Sequence, residues 1–109
     1  MKLKFSTGHV SVRLTVNQMQ QLVDDGSLNA TIPLAGGALN GVISLVDEAV
    51  TNMQFDANSS TIGFVFPRDA VQKELAKPTR NGIGGYFDDG VFSLAIDIHD
   101  VRDKARKAK

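Results

Sequence analysis

The chain has no cysteine and no tryptophan, and its charges cancel, with twelve Lys and Arg against twelve Asp and Glu in 109 residues. Without cysteine there can be no disulfide, no thiolate zinc site and no Cys nucleophile. The same absence fits a reducing compartment. With no net charge, no global field recruits nucleic acid or an anionic membrane. No apolar run approaches the roughly 18 residues that a spanning helix needs. The opening stretch "MKLKFSTGHVSVRL" alternates apolar and polar residues and has no continuous apolar core of a signal peptide. Together these features predict a cytoplasmic protein with no membrane partner. No Gly-x-Ser-x-Gly elbow occurs either, which leaves serine hydrolase chemistry unsupported.

What is present is enough for a core. Apolar residues make up 42% of the chain and charged residues 22%, the balance of a globular domain. A chain of this size buries roughly two thirds of its unfolded surface, so it needs no metal or disulfide staple.

The hydrophobic period changes several times along the chain. Leu3 and Phe5 alternate with Lys2 and Lys4, "TGH" marks a turn that contains His9, and Val10, Val12 and Leu14 alternate again. At Thr15 the spacing becomes helical through Val16, Met19, Leu22 and Val23. "TVNQ" is a capping box, with Thr15 as N-cap and Gln18 reaching back, and Gly26 stops the helix. Ala30, Ile32 and Leu34 resume the strand period. Pro33 cannot donate a ladder hydrogen bond, which predicts an edge strand. "AGGALNG" reads as a flexible connection before the strand "VISLV".

The second half follows the same order. Met53 and Phe55 share one face, "DANSS" turns, and Ile62, Phe64 and Phe66 point inward. Pro67 stands where Thr15 stood, and proline is tolerated at a helix start. Ala70, Val71 and Leu75 are the apolar positions of a second helix that Pro78 ends, with Lys73 and Glu74 on its exposed face. "GIGGYF" is a glycine-rich strand, "DDG" a hairpin turn, and "VFSLAIDI" the closing strand through Phe92, Leu94, Ile96 and Ile98. "VISLVDE" at 42–48 and "VFSLAID" at 91–97 are near copies. The pattern predicts an α+β domain over 1–103, built from two pseudo-symmetric ββαββ units at about 1–48 and 51–100. These units pack as an antiparallel β-sandwich or barrel with two helices, followed by a basic tail at 104–109.

The stretches "KLKFSTGHVSVRLTVNQMQQLVDDG", "STIGFVFPRDAVQKELAK" and "FSLAIDIHD" resemble a family of small uncharacterised bacterial proteins. Its members open with a similar Lys/Arg-alternating hairpin running into a short helix. The resemblance covers most of the chain and supports the fold reading. It implies no activity, cofactor or catalytic residue, and "NGIGGYFDDG" departs from the family pattern.

Four stretches are candidates for chemistry. "GIGGYFDDG" has the glycines of a phosphate loop but no following helix, so it reads as a twisted or bulged hairpin. "IDIHDVRD" places Asp97 and His99 on one strand face, with Asp100 and Asp103 beyond. A carboxylate and an imidazole there could bind a divalent metal or act as an acid–base pair, but no third ligand is identified and a solvated face is the simpler reading. The tail, with Arg102, Lys104, Arg106, Lys107 and Lys109 against Asp103, could touch phosphates, yet it has no interleaved aromatic. The strand around Pro33 could pair with a second copy. The expected function is a small non-enzymatic module without a cofactor. It would bind a protein partner through Pro33 or through Gly84, Gly85 and Tyr86. The alternatives are metal or enzyme chemistry at Asp97 and His99, and weak nucleic-acid binding through the tail.

Overall fold

The computed structural model describes residues 1–97. Alternating stretches form the strands β1 (Lys2–Ser6), β2 (His9–Leu14), β3 (Ser27–Leu34), β4 (Gly37–Val46), β5 (Asn52–Asp56), β6 (Thr61–Pro67), β7 (Ile83–Phe87) and β8 (Gly90–Ile96). The two stretches of helical spacing form α1 (Val16–Asp25) and α2 (Arg68–Ala76). Thr15 caps α1 with the full reciprocal box: the Gln18 amide donates to Thr15 Oγ1 at 3.1 Å, and the Thr15 amide donates to Gln18 Oε1 at 3.0 Å. Gly26 closes the helix in the left-handed region, φ 78°, where a side chain would be strained. Pro67 is the N-cap of α2 and supplies no side-chain bond.

The strands form two four-stranded sheets, ordered β1-β2-β8-β7 and β3-β4-β6-β5. Outer pairs are antiparallel hairpins, but the central pairs β2/β8 and β4/β6 are parallel. The sheets are therefore mixed, and they pack together without closing into a barrel. This corrects the expectation of an antiparallel sandwich or barrel. Hairpins can be read locally from turn residues, but the neighbour of a hairpin is chosen by non-local burial. Leu45 and Leu94, which match in the similar heptads at 42–48 and 91–97, lie opposite Phe66 and Val12.

Alternation puts Val10, Val12, Leu14, Ile43, Leu45, Ile62, Phe64, Phe66, Phe92, Leu94 and Ile96 between the sheets, and all are buried. Each such side chain stabilises the fold by roughly 1.5–3 kcal/mol when fully buried. Phe64, Phe66 and Phe92 meet at the centre with ring centroids 5.8–6.4 Å apart. The helices add Met19, Leu22 and Val71 to the same cluster. Both helices follow the ends of parallel strands, so they sit at the end of the sandwich where β2, β4, β6 and β8 finish. Arg68 joins them there: its Nη1 donates to Val23 O at 3.3 Å, and its Nε lies 3.3 Å from Asp47 Oδ1. The four hairpin turns lie at the opposite end.

Three local expectations change. "AGGALNG" is not a loose connection: only residues 35–36 turn, and Gly37 onward is strand, paired with β3 and, from Asn40, also with β6. A Cβ on Gly41 would lie 2.8 Å from the sulfur of Met1, a flexible side chain that would have to shift. His9 belongs to β2, since the turn is residues 7–8. Glu74 is buried, not exposed like Lys73. Residues past Pro78 double back, so that Thr79 donates to the Glu74 carboxylate from both its amide and its hydroxyl. Pro33 does lie on an edge strand, exposed and opposite Ala38 in β3.

Candidate functional site

In the first sheet, alternation points these residues outward: Lys2, Lys4 and Ser6 on β1; His9, Ser11 and Arg13 on β2; Val91, Ser93 and Ala95 on β8; Gly84 and Tyr86 on β7, with Ser11 and Ala95 buried beneath their neighbours. Register arranges them in rows across the strands. Lys4 lies opposite Ser11, Ser11 opposite Ser93, and Ser93 opposite Gly84. Beyond the lysine that row has almost no side-chain height. One flanking row holds His9, Val91 and Tyr86. The other holds Lys2, Arg13 and Ala95, with Gly82 lying over Ala95. The result is a trough across the sheet between a His9–Tyr86 wall and an Arg13–Asn81 wall. The flanks stand four residues apart along β2, roughly 13 Å of strand.

Two adjoining cavities trace it. One of about 370 Å³ is lined by His9, Arg13, Asn81, Gly84, Tyr86 and Ser93 among others. The second, of about 560 Å³, continues past His9 and Arg13 to Lys4, Ser6 and Ser11. No carboxylate lines either. The polar groups are set in place by neighbours. His9 Nε2 and Ser93 Oγ are 3.3 Å apart across the parallel pair. Arg13 Nη1 donates to Arg80 O at 3.3 Å, which ties β2 to the segment carrying Asn81. That segment is in turn anchored by Glu74, because Thr79 Oγ1 accepts from the Gly82 amide at 3.0 Å. Gly82 sits at φ 68°, and a Cβ there would strike Leu94 O and Ala95. Tyr86 is 84% exposed.

Of the residues singled out in the sequence, Gly84, Gly85 and Tyr86 all line the first cavity. The two glycines differ. Gly84 opens on the trough, whereas a Cβ on Gly85 would run into the Phe92 ring and Thr51 beneath the sheet. Pro33 is far from this group in the topology, at the outer edge of the other sheet. Asp97 follows β8; its amide donates to Leu14 O at 2.7 Å, and its carboxylate lies 3.4 Å from Lys2 Nζ. His99, Asp100, Asp103 and the tail lie outside the described residues. Among the described residues no group of three or more His, Asp or Glu is placed to share a metal ion. Also among them, no helix is long and apolar enough to cross a membrane.

Sequence reasoning missed His9, Arg13 and Ser93 as a group, because β2 and β8 become neighbours only in the folded sheet. It missed Asn81 for the same reason. The one local signal for the anchoring segment was Thr79 directly after Pro78, within reach of a helical carboxylate five residues back. No family model matches the chain, and no curated protein and no solved structure was found to be similar to it.

Proposed function

We propose that the chain is a small non-enzymatic binding module whose recognition surface is the outer face of the first sheet, centred on the Gly84–Tyr86 hairpin arm. The observation that carries this reading is the trough. A solvated sheet face normally presents a continuous layer of long polar side chains, but here Ser11, Ser93 and Gly84 leave a cleft between built walls. Binding sites are concave, with a few placed polar groups on an apolar base. Amide mapping with a library of small fragments tests it: hits should cluster on Gly84, Tyr86 and Ser93. Hits clustering on the second sheet would overturn the assignment.

Edge strand β3 offers a second surface, for a second copy of the chain, because Leu34 is 57% exposed beside Pro33. Sedimentation at rising concentration tests this, and a monomer throughout would reject it. Metal chemistry at Asp97 and His99 is tested by metal content after purification without chelator, and nucleic-acid binding through the tail by the salt dependence of any affinity.

We further propose that the two halves are copies of one ββαββ unit. Exchanging the halves in the order β1-β2-β8-β7 yields β5-β6-β4-β3, which is the second sheet. On this reading Phe64, Phe66 and Phe92 have Val12, Leu14 and Gly41 as counterparts, so the two halves differ in side-chain size at the core. An experimental structure in which the halves do not superpose would reject the duplication.

A further inference from the structure

The trough has a polarity that points to its ligand. Its β1–β2 end carries Lys4, His9 and Arg13; its β7–β8 end carries Tyr86 and Val91. The chain as a whole has as many acidic as basic residues, yet among the described residues no carboxylate lines either cavity, and Asp97, on the Arg13 side, is paired with Lys2. The ion pairs among the described residues are Lys2 with Asp97 and Arg68 with Asp47, so among those residues Lys4 and Arg13 have no carboxylate partner. Arg13 spends one donor on Arg80 O, which holds the guanidinium in place while leaving other N–H groups available. At the other end an exposed tyrosine and a valine stand side by side in the row next to Gly84, which leaves a flat apolar seat over the glycine.

We propose that the trough binds a small organic anion: a phosphate or carboxylate held at the Lys4, His9 and Arg13 end, joined to a flat apolar group lying against Tyr86 over Gly84. This rests on the reading of this face as the recognition surface and adds the ligand class. A guanidinium and an ammonium facing one cleft favour an oxyanion, and the planar Arg fork matches either head group. An aromatic wall favours a flat partner through stacking. Three strand spacings separate β1 from β7, roughly 14 Å, enough for a head group and one or two rings.

The test is amide mapping of the full chain with phenyl phosphate, benzoate and the neutral benzyl alcohol, each titrated alone. The expected result is saturable shifts at Gly84, Tyr86 and Ser93 with one or both anions and little with the alcohol. The two anions separate a tetrahedral from a planar head group. Arg13→Gln should weaken the anion by roughly tenfold, the loss expected for one charge-assisted contact, and Tyr86→Ala should weaken it also. Lys4→Gln, at an exposed position, gives a second reading of the charge requirement if Arg13→Gln unfolds. Equal shifts with benzyl alcohol, or anion affinity unchanged in the charge variants, would overturn the inference while leaving the face as a binding surface. If none of the three probes moves these amides, the anion assignment fails; whether the face binds at all is then decided by the fragment mapping.

Discussion

The Thr79 hydroxyl lies 2.9 Å from Glu74 Oε1, and the Thr79 amide donates to the same oxygen at 2.8 Å. The carboxylate is buried, and Thr79 Oγ1 in turn accepts from Gly82. This chain of bonds fixes the segment that forms one wall of the trough. Hydrogen bonds to a charged group contribute about 1.5–3 kcal/mol. Glu74→Ala should therefore destabilise the protein by about 1–3 kcal/mol in urea denaturation, and should shift the amides of Asn81 and Gly84. Glu74→Gln keeps an acceptor at Oε1 and should lose less. If both variants match the parent in stability and spectrum, the carboxylate does not hold the segment.

Gly84 and Gly85 are adjacent in sequence but should respond differently. At Gly84 the nearest heavy atom to an added Cβ is Phe92 O at 3.8 Å, ordinary contact. Gly84→Ala should change stability by no more than about 0.5 kcal/mol. Gly85→Ala drives a methyl into the Phe92 ring and should cost about 1–3 kcal/mol by overpacking. Thermal melts of the two variants check this, and a larger loss for Gly84→Ala than for Gly85→Ala would mean that the faces of β7 are reversed.

Phe64 and Leu94 are essentially without solvent contact. Truncation to Ala should cost about 3–5 kcal/mol for Phe64 and about 2–5 kcal/mol for Leu94. Denaturation midpoints read this directly. Losses under about 0.5 kcal/mol, the size of a surface effect, would place both side chains outside the core.

Thr15→Ala removes one half of the reciprocal cap on α1 and should destabilise by about 0.5–2 kcal/mol. The Gln18 amide then has no side-chain acceptor, so its hydrogen exchange should quicken more than that of Leu22. Unchanged exchange at Gln18 would show that the cap contributes nothing to the helix end.

What the sequence made legible was local. The alternation at Val10, Val12 and Leu14 and at Ile62, Phe64 and Phe66 gave inward faces that the fold uses. The box at Thr15 and Gln18 needs only four residues to be read. The rest depended on distant partners. Nothing near residues 37–41 announces that β3 and β6 will straighten a glycine-rich stretch into a central strand. Glu74 has the residue type of a solvated helix face, and only its return contact with Thr79 makes burial tolerable. The trough required knowing that Ser93 would lie opposite Ser11, although both were visibly outward-facing.

The second sheet is assembled from one uninterrupted stretch, β3 to β6, whereas the first takes β1 and β2 from the start of the chain and β7 and β8 from its end. His9 and Ser93, which face each other across the first sheet, are 84 positions apart. During synthesis the β1–β2 hairpin must therefore wait, with its β2 edge unpaired, until nearly the whole chain has emerged. The inner sheet can pair earlier, and closure of the outer one carries the larger loop entropy. The sheets are thus nested in sequence, with β8 in the middle of its sheet beside the β1–β2 hairpin. A chain that stops before β8 leaves Val10, Val12 and Leu14 without Phe92, Leu94 and Ile96 beside them, a surface for chaperones to hold.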